Sequence, residues 1–373
     1  MEPFASVPEQ PEAVRLLTAA SDGGAHAYLL HGPRGVGKRA AAFAFASAVL
    51  GDERRVEARA HPDLYLLQPL GEMIRIDDIR ALRHDLHMRP FEADRRVYLN
   101  LDAERMNEEA ADALLKDLEE PPPYAVIVLV AGELGPLPPT ILSRCQLVPF
   151  RRLSEAAVRD WIATQAPDRS NDDVRVLARA SGGRLDRARR LLDPDAAARR
   201  DELIATARAV YRDELEPADA AGVLLAVAAS RAEEAREQEQ AVVDTLDLPA
   251  RDAEQRVKRA QRGAERDELL AALEGLEAWY RDLVVVGAEA DAAVVHADRL
   301  DQLHEDVALS TVDGAVEAAE AVREAWRALE EFNLNPSLAL EALFVRLRRA
   351  LSAARGARAA RTRPRLHSSA SPT

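Results

Sequence analysis

The octamer Gly32-Pro33-Arg34-Gly35-Val36-Gly37-Lys38-Arg39 has the residue types and spacing to hold a phosphate. Its glycines let successive backbone N–H groups point at one anion, and Lys38 can reach the terminal phosphates of a nucleotide. The helix that follows offers its positive end to the same anion. A loop that hydrolyses nucleotide carries a Ser or Thr hydroxyl after the lysine, to hold magnesium, and Arg39 stands there instead. The residues of the loop therefore predict the phosphate-loop shape and leave nucleotide retention open. Asp102 is the second candidate, since phosphoryl transfer on such a frame needs a strand-end carboxylate for the metal and usually an adjacent one to orient water. The next residue is Ala103, and Glu104, one position further on, is expected to point into solvent. Two defects, Arg39 at the metal and Ala103 at the water, predict a poor ATPase even if a nucleotide is held.

The positioning of these groups falls to strands and helices that alternate along the first 150 residues. Ala27 to His31 reads as a strand running into the glycine loop, and the next helix should run from Arg39 to Leu50. Val97 to Leu101 and Ala125 to Ala131 are short apolar runs of buried-strand length. Between them, Asn107 to Glu119 places Ala110, Leu114, Leu115 and Leu118 on one helical face, and Pro121, Pro122 and Pro123 end that helix. Leu64 to Gln68 and Gln146 to Phe150 are further strands, Pro11 to Ala20 is a short helix, and Ile76, Ile79, Leu82 and Leu86 share a helical face. Strands apolar on both sides and separated by helices imply an α/β parallel sheet covered on both faces, with its crevice beyond the strands' carboxyl ends. Asp102 and Ser143-Arg144-Cys145 fall at such ends.

With 64 acidic against 50 basic residues the chain carries a formal charge of −14, so it is not a general nucleic-acid coat. Any contact with DNA must come from a local basic surface. A single cysteine excludes an intramolecular disulfide and a cysteine-based zinc cluster, and no zinc is expected. No stretch reaches the roughly 18 apolar residues of a membrane helix. The amino-terminal residues lack a basic segment followed by an apolar one, which predicts a cytoplasmic location.

Five stretches together carry a resemblance: HAYLLHGPRGVGK, HPDL, IRIDDIRALR, LDAERMNEEAADALLKDLEEPP and LSRCQ. The chain resembles the AAA+ clamp loader family of bacterial DNA polymerase III, closely over Phe4 to Phe150 and weakly at Ser181-Gly182-Gly183-Arg184. Two later stretches, Trp279 to Leu283 and Asn333 to Glu341, are similar to the collar through which such subunits form a ring. Motor members of the family, gamma and tau, typically keep an intact phosphate loop and an Asp-Glu pair, so Arg39 and Asp102-Ala103 favour a non-motor subunit. The resemblance implies that Arg144 acts in trans as an arginine finger in a neighbour's ATP site, where a guanidinium stabilises the transferring phosphoryl group. A helix cap is the alternative role. It further implies a degenerate ATP site at Gly32, Gly35, Gly37, Lys38, Arg39 and Asp102, with Arg184 in the place of the second-domain arginine that senses nucleotide. Cys145 is expected to be a small buried residue.

The expected domains are an AAA+ nucleotide-fold domain over 1–150, a helical lid with Val158, Trp161 and Ile162 buried over 151–205, an all-α collar over 206–354, and a disordered basic tail over 355–373. Leu269, Leu273, Leu276, Tyr280 and Leu283 form a heptad-like stripe that should pack inside the collar. The charged segment Ala229 to Glu268 lies outside the family's common pattern and reads as a solvated helical face. These expectations describe a non-hydrolysing clamp loader subunit that at most holds ATP without hydrolysis, is a monomer alone, and forms a hetero-oligomer. Its partners would be gamma/tau-like motor subunits and a delta-like subunit, with the sliding clamp and primed DNA reached through the complex. Two rivals stand beside it: an active motor subunit, and a stand-alone DNA-binding AAA+ remodelling protein.

Overall fold

The computed structural model describes the chain apart from residues 1–3, 5, 6, 22, 70–72, 133, 135, 136, 245–249, 332, 333 and 363–373, and at 252, 330, 331 and 352–362 it describes the backbone alone. Its residues divide into two units: Met1–Asp193 with Ala232–Ala264, and Pro194–Arg231 with Glu265–Thr373.

The first unit opens with α1 (Pro11–Ser21), β1 (Ala27–His31), α2 (Lys38–Leu50) and a short α3 (Glu53–Glu57). It continues through β2 (Leu64–Leu67), α4 (Ile76–Leu86), β3 (Arg96–Leu101), α5 (Glu108–Glu119), β4 (Ala125–Ala131), α6 (Pro139–Leu142) and β5 (Gln146–Pro149). All five strands are parallel, in the order β2-β3-β4-β1-β5. β1 lies beside β4 and β5 at once, Leu29 pairing with Leu129 and Leu147, which brings the glycine loop after β1 next to the ends of β4 and β5. All seven residues of β4 are buried. Val126, Val128 and Val130 face one apolar layer with Tyr28, Leu30 and Phe45, and Ile127, Leu129 and Ala131 face the other with Ile79, Leu114 and Leu118. Each valine, leucine, isoleucine or phenylalanine among them contributes about 1.5–3 kcal/mol on leaving water, and the alternation fixes the strand register. The expected α/β parallel sheet, covered by helices on both faces, is the one observed.

Sequence patterning located these elements to within a residue or two, with one exception. The charged run after Gly51, which has no apolar periodicity to mark a helix, contains α3, whose cap is the Asp52 carboxylate accepting from the Arg55 N–H at 3.0 Å. Beyond the sheet, α7 (Glu155–Gln165), α8 (Asn171–Ser181) and α9 (Leu185–Leu192) enclose a small core of Leu153, Val158, Ile162, Val174 and Ala188, with Trp161 partly buried against it. Buried Gln10 holds the crossing strand-to-lid segment, accepting from Arg151 N at 3.0 Å and donating to Arg151 O at 2.8 Å.

The second unit is helical: α10 (Pro194–Tyr211), parts of α11 (Pro217–Val243) and α12 (Ala250–Gly287), then α13 (Leu300–Leu309), α14 (Val312–Glu331) and α15 (Pro336–Thr362). The predicted stripe is its core. Leu273, Leu276, Tyr280 and Leu283 are buried together with Trp279, Phe344 and Leu347.

The domain boundaries differ from expectation in three places. α10 runs unbroken through 205/206, because nothing in Pro194–Tyr211 breaks a helix, and the units part at Asp193 and Pro194 instead. Ala232–Ala264, the middle of the charged segment, groups with the first unit. There it is not a purely solvated face: Ala232, Val243 and Val257 are buried, Arg256 pairs with Glu239, and Arg259 lies 3.2 Å from Asp78 of α4. Finally, α15 continues past 354 to Thr362, since its alanines and arginines are strong helix formers. The rest of the predicted tail, Asn333 of the collar stretch and Pro249 lie outside the described residues.

Candidate functional site

Gly35 and Gly37 turn the chain with φ of 73° and 97°, a left-handed conformation that glycine adopts at no steric cost, and α2 begins at the next residue. Lys38 is 7% exposed, and its ammonium donates to Gly32 O at 2.6 Å and to Pro33 O. The lysine is thus folded back onto its own loop. Burial pushes its pKa down to about 8, against the pull of the Glu104, Asp102 and Asp186 carboxylates. Beside the loop, burial and the Lys38 charge lower His31.

Arg39, at the second position of α2, reaches the end of β3. Its guanidinium lies 3.4 Å from Asp102 Oδ2. Arg39, which stands where the sequence pattern expects a hydroxyl, therefore places a fixed positive charge beside the carboxylate at the end of β3. Asp102 itself is left-handed, at φ 57° and ψ 49°, a conformation that short polar side chains tolerate better than most.

That turn overturns one expectation. Glu104 does not point into solvent. Left-handed Asp102 leads into a 3₁₀ turn, Ala103–Arg105, which carries Glu104 back over the sheet, where Oε1 accepts from the Gly132 N–H at 2.9 Å. A Cβ on Gly132 would lie 2.8 Å from that oxygen and 3.4 Å from Arg34 Cγ, so glycine at the end of β4 makes the approach possible. Burial, with the nearby Asp102 charge, raises the Glu104 pKa. Neighbour-by-neighbour reading missed Glu104 because the strand's alternation was carried one step past its end. A Gly at the foot of the adjacent strand was the available signal.

Arg184 is paired with Asp186, Nε to Oδ1 at 3.1 Å and Nη2 to Oδ2 at 2.8 Å. The backbone between them touches the phosphate loop: Leu185 N–H donates to Gly35 O at 2.6 Å. Asp186 carried no sequence signal of its own.

Arg144 stands apart from this cluster, just beyond α6. Its guanidinium donates to Glu119 at the end of α5, Nε at 2.7 Å, and through Nη1 to Thr140 O at 2.8 Å and Ser143 Oγ at 3.2 Å. The contact with Thr140 O is that of a helix cap, and the pairing with Glu119 holds the side chain at the domain surface with 29% exposure. The neighbouring Cys145 thiol is pushed up to about 12 by burial.

The residues thus comprise a phosphate-loop fold whose cationic groups are satisfied from within and a separate, half-exposed arginine. Residues 9–154 match the family model described as DNA polymerase III, delta subunit. The chain is 36% identical over 183 residues to the DNA polymerase III subunit delta′ of Bacillus subtilis, covering 45% of this chain and 55% of that protein. With the subunit delta′ of Pseudomonas aeruginosa it shares 36% over 182 residues, 45% of this chain and 56% of the relative. The subunit tau of B. subtilis is 30% identical over 184 residues, 45% of this chain and 33% of its own length. The chain spans about half the length of the delta′ proteins it matches. Among solved structures, a DNA polymerase III gamma subunit-related protein of Thermotoga maritima covers 91% of this chain and 99% of its own at 19% identity and a TM-score of 0.40, a likeness that adds nothing to what the sheet itself shows.

Proposed function

We propose that this chain, delta-prime-like in sequence over residues 9–154, is a non-hydrolysing subunit of a bacterial DNA polymerase III clamp loader. In this reading it is a rigid ring member in DNA replication. It lends Arg144 to the ATP site of a gamma/tau-like motor subunit, sits in the ring with a delta-like subunit, and takes part in loading the sliding clamp on primed DNA.

The single observation that carries the non-hydrolysing half is the Arg39–Asp102 pair. A motor needs a hydroxyl and a carboxylate converging on magnesium, and a guanidinium between them repels a divalent cation and occupies the carboxylate. For Arg144, support comes from its partly exposed position after α6 and from the Ser143-Arg144-Cys145 match. Pairing with Glu119 and Thr140 does not oppose the role, because a phosphate can outbid an exposed carboxylate for a guanidinium fork. Among the described residues no helix is long and apolar enough to cross a membrane.

One observation favours the motor reading instead: Glu104 returns toward Lys38 and gives the loop a carboxylate beyond Asp102. Light scattering of the pure chain during size-exclusion chromatography, with and without a gamma/tau-like motor subunit, together with its ATP turnover alone, separates the readings. The proposal expects a monomer without turnover that enters a mixed complex. Turnover by the chain alone that Lys38→Ala abolishes would establish the motor, and a homomeric ring binding DNA unaided would establish a stand-alone remodeller.

A further inference from the structure

The start of α9 is fastened to the phosphate loop. Leu185 N–H donates to Gly35 O at 2.6 Å, and the carboxylate of the next residue, Asp186, fills the notch beside the same glycine. A Cβ on Gly35 would lie 1.8 Å from Asp186 Oδ1 and 2.4 Å from its Cγ. No other residue at 35 lets the carboxylate come so close. Arg184 grips that carboxylate with two nitrogens, the Arg187 N–H donates to Oδ1 at 2.8 Å, and an Arg190 nitrogen stands 4.0 Å from Oδ2. Burial pushes the Asp186 carboxyl up, but these arginines outweigh it, so the net shift is downward and the group is ionised at neutral pH. Its charge is felt at Lys38, whose ammonium is turned onto Gly32 and Pro33.

We propose that Asp186 is the phosphate loop's own ligand, a carboxylate of the same chain that closes the loop against nucleotide. Gly35 then serves a second purpose beyond freeing a backbone N–H, which is to admit Asp186. The glycines that would cradle a polyphosphate have an anion beside them already, and at so short a range like charges repel even though solvent, which reaches 40% of the Asp186 side chain, screens them in part. A nucleoside triphosphate must displace Asp186 and break the Leu185–Gly35 bond before Lys38 can turn to its phosphates. The same latch employs Arg184, the residue matched to nucleotide sensing, in holding Asp186. Apparent affinity is reduced by the fraction of molecules with the latch open, so removing the carboxylate raises affinity even though it adds no contact to the ligand. This inference concerns the loop and α9 alone and does not depend on ring assembly.

The test is equilibrium binding of methylanthraniloyl-ATP to the full chain, followed by fluorescence, for the unaltered protein, Asp186→Ala, Asp186→Asn, and Asp186→Ala combined with Lys38→Ala. Asp186→Ala should bind about tenfold or more tightly than the unaltered chain. Asp186→Asn, which keeps the shape and loses the charge, should gain in part, and adding Lys38→Ala should remove the gain. Should Asp186→Ala fail to fold by circular dichroism, Asp186→Asn carries the comparison. Hydrogen exchange on the unaltered chain gives an independent reading, since saturating nucleotide should speed exchange of the Leu185 amide. Equal affinity for the unaltered chain and both Asp186 variants, tight or undetectable, overturns the proposal, as does a Leu185 amide slowed by nucleotide.

Discussion

Arg39 and Asp102 meet across the carboxyl end of the sheet, a guanidinium nitrogen of one 3.4 Å from a carboxylate oxygen of the other. Both are partly exposed, so the pair contributes little to stability, and its consequence is chemical. Arg39→Thr restores the hydroxyl and frees Asp102. Calorimetric titration should then show nucleotide binding that gains a dependence on magnesium, with melting temperature changed little. Phosphate release should stay at background, because Ala103 still leaves no carboxylate next to Asp102. Release at a motor-like rate by this one variant would mean that Glu104 can position the water.

The thiol of Cys145 should be inert. Burial holds it up to about 12, against about 8.5 for a free cysteine, so at pH 8 its thiolate fraction is lower by a factor of about two thousand. Labelling by iodoacetamide at pH 8 should proceed at the rate of unfolding or local opening in native protein and rapidly in urea. Equal rates in both conditions would place the thiol in the open.

How far the sequence reached can be judged from these residues. Periodicity and glycine placement were enough for the sheet, the loop, and α5, since burial on two faces writes itself into runs such as Ala125–Ala131. The positions of Arg39, Asp102 and Arg144 were legible because each stands at or beside the end of an element that the sequence delimits. Glu104 and Asp186 were not. Each reaches the loop by a turn whose direction depends on a left-handed residue or on packing between helices, and neither leaves a pattern in nearby residues. The boundary at Asp193 escaped for a similar reason: α10 is a single helix by composition, and only its packing assigns it to the second unit.

Within the second unit, Asp282 and His296 form a buried pair at 2.8 Å, and the carboxylate also accepts from Val295 N and His296 N. Burial raises Asp282, yet the His296 hydrogen bond and charge and the backbone N–H groups more than reverse it, leaving the pKa below the ordinary value. A carboxyl depressed in the folded state stabilises above its unfolded pKa of about 3.9, and that contribution is lost as pH falls through the folded value. Asp282→Asn should cost about 3–5 kcal/mol at pH 7, as a buried pair with one partner removed. It should also flatten the acid side of the curve of stability against pH below about 4. Urea unfolding at pH 7 and at pH 3 checks both, and a variant as acid-sensitive as the unaltered chain would remove this pair from acid unfolding.

The account's central claim is tested most directly by the ATPase of a loader reconstituted with Arg144→Ala. The side chain is 29% exposed and bonded to an exposed Glu119, so its loss should leave this chain folded and the complex assembled. If Arg144 serves a neighbour, hydrolysis at that site should fall by a factor of about 10³ to 10⁵, as arginine fingers do elsewhere, and total clamp- and DNA-stimulated turnover should drop in part because the other sites draw on other subunits. Arg144→Lys should rescue poorly, having the charge without the planar fork. Turnover equal to that of the unaltered loader for both variants, in complexes of unchanged mass, would contradict the trans role and leave Arg144 as the cap of α6 that its bond to Thr140 already makes it.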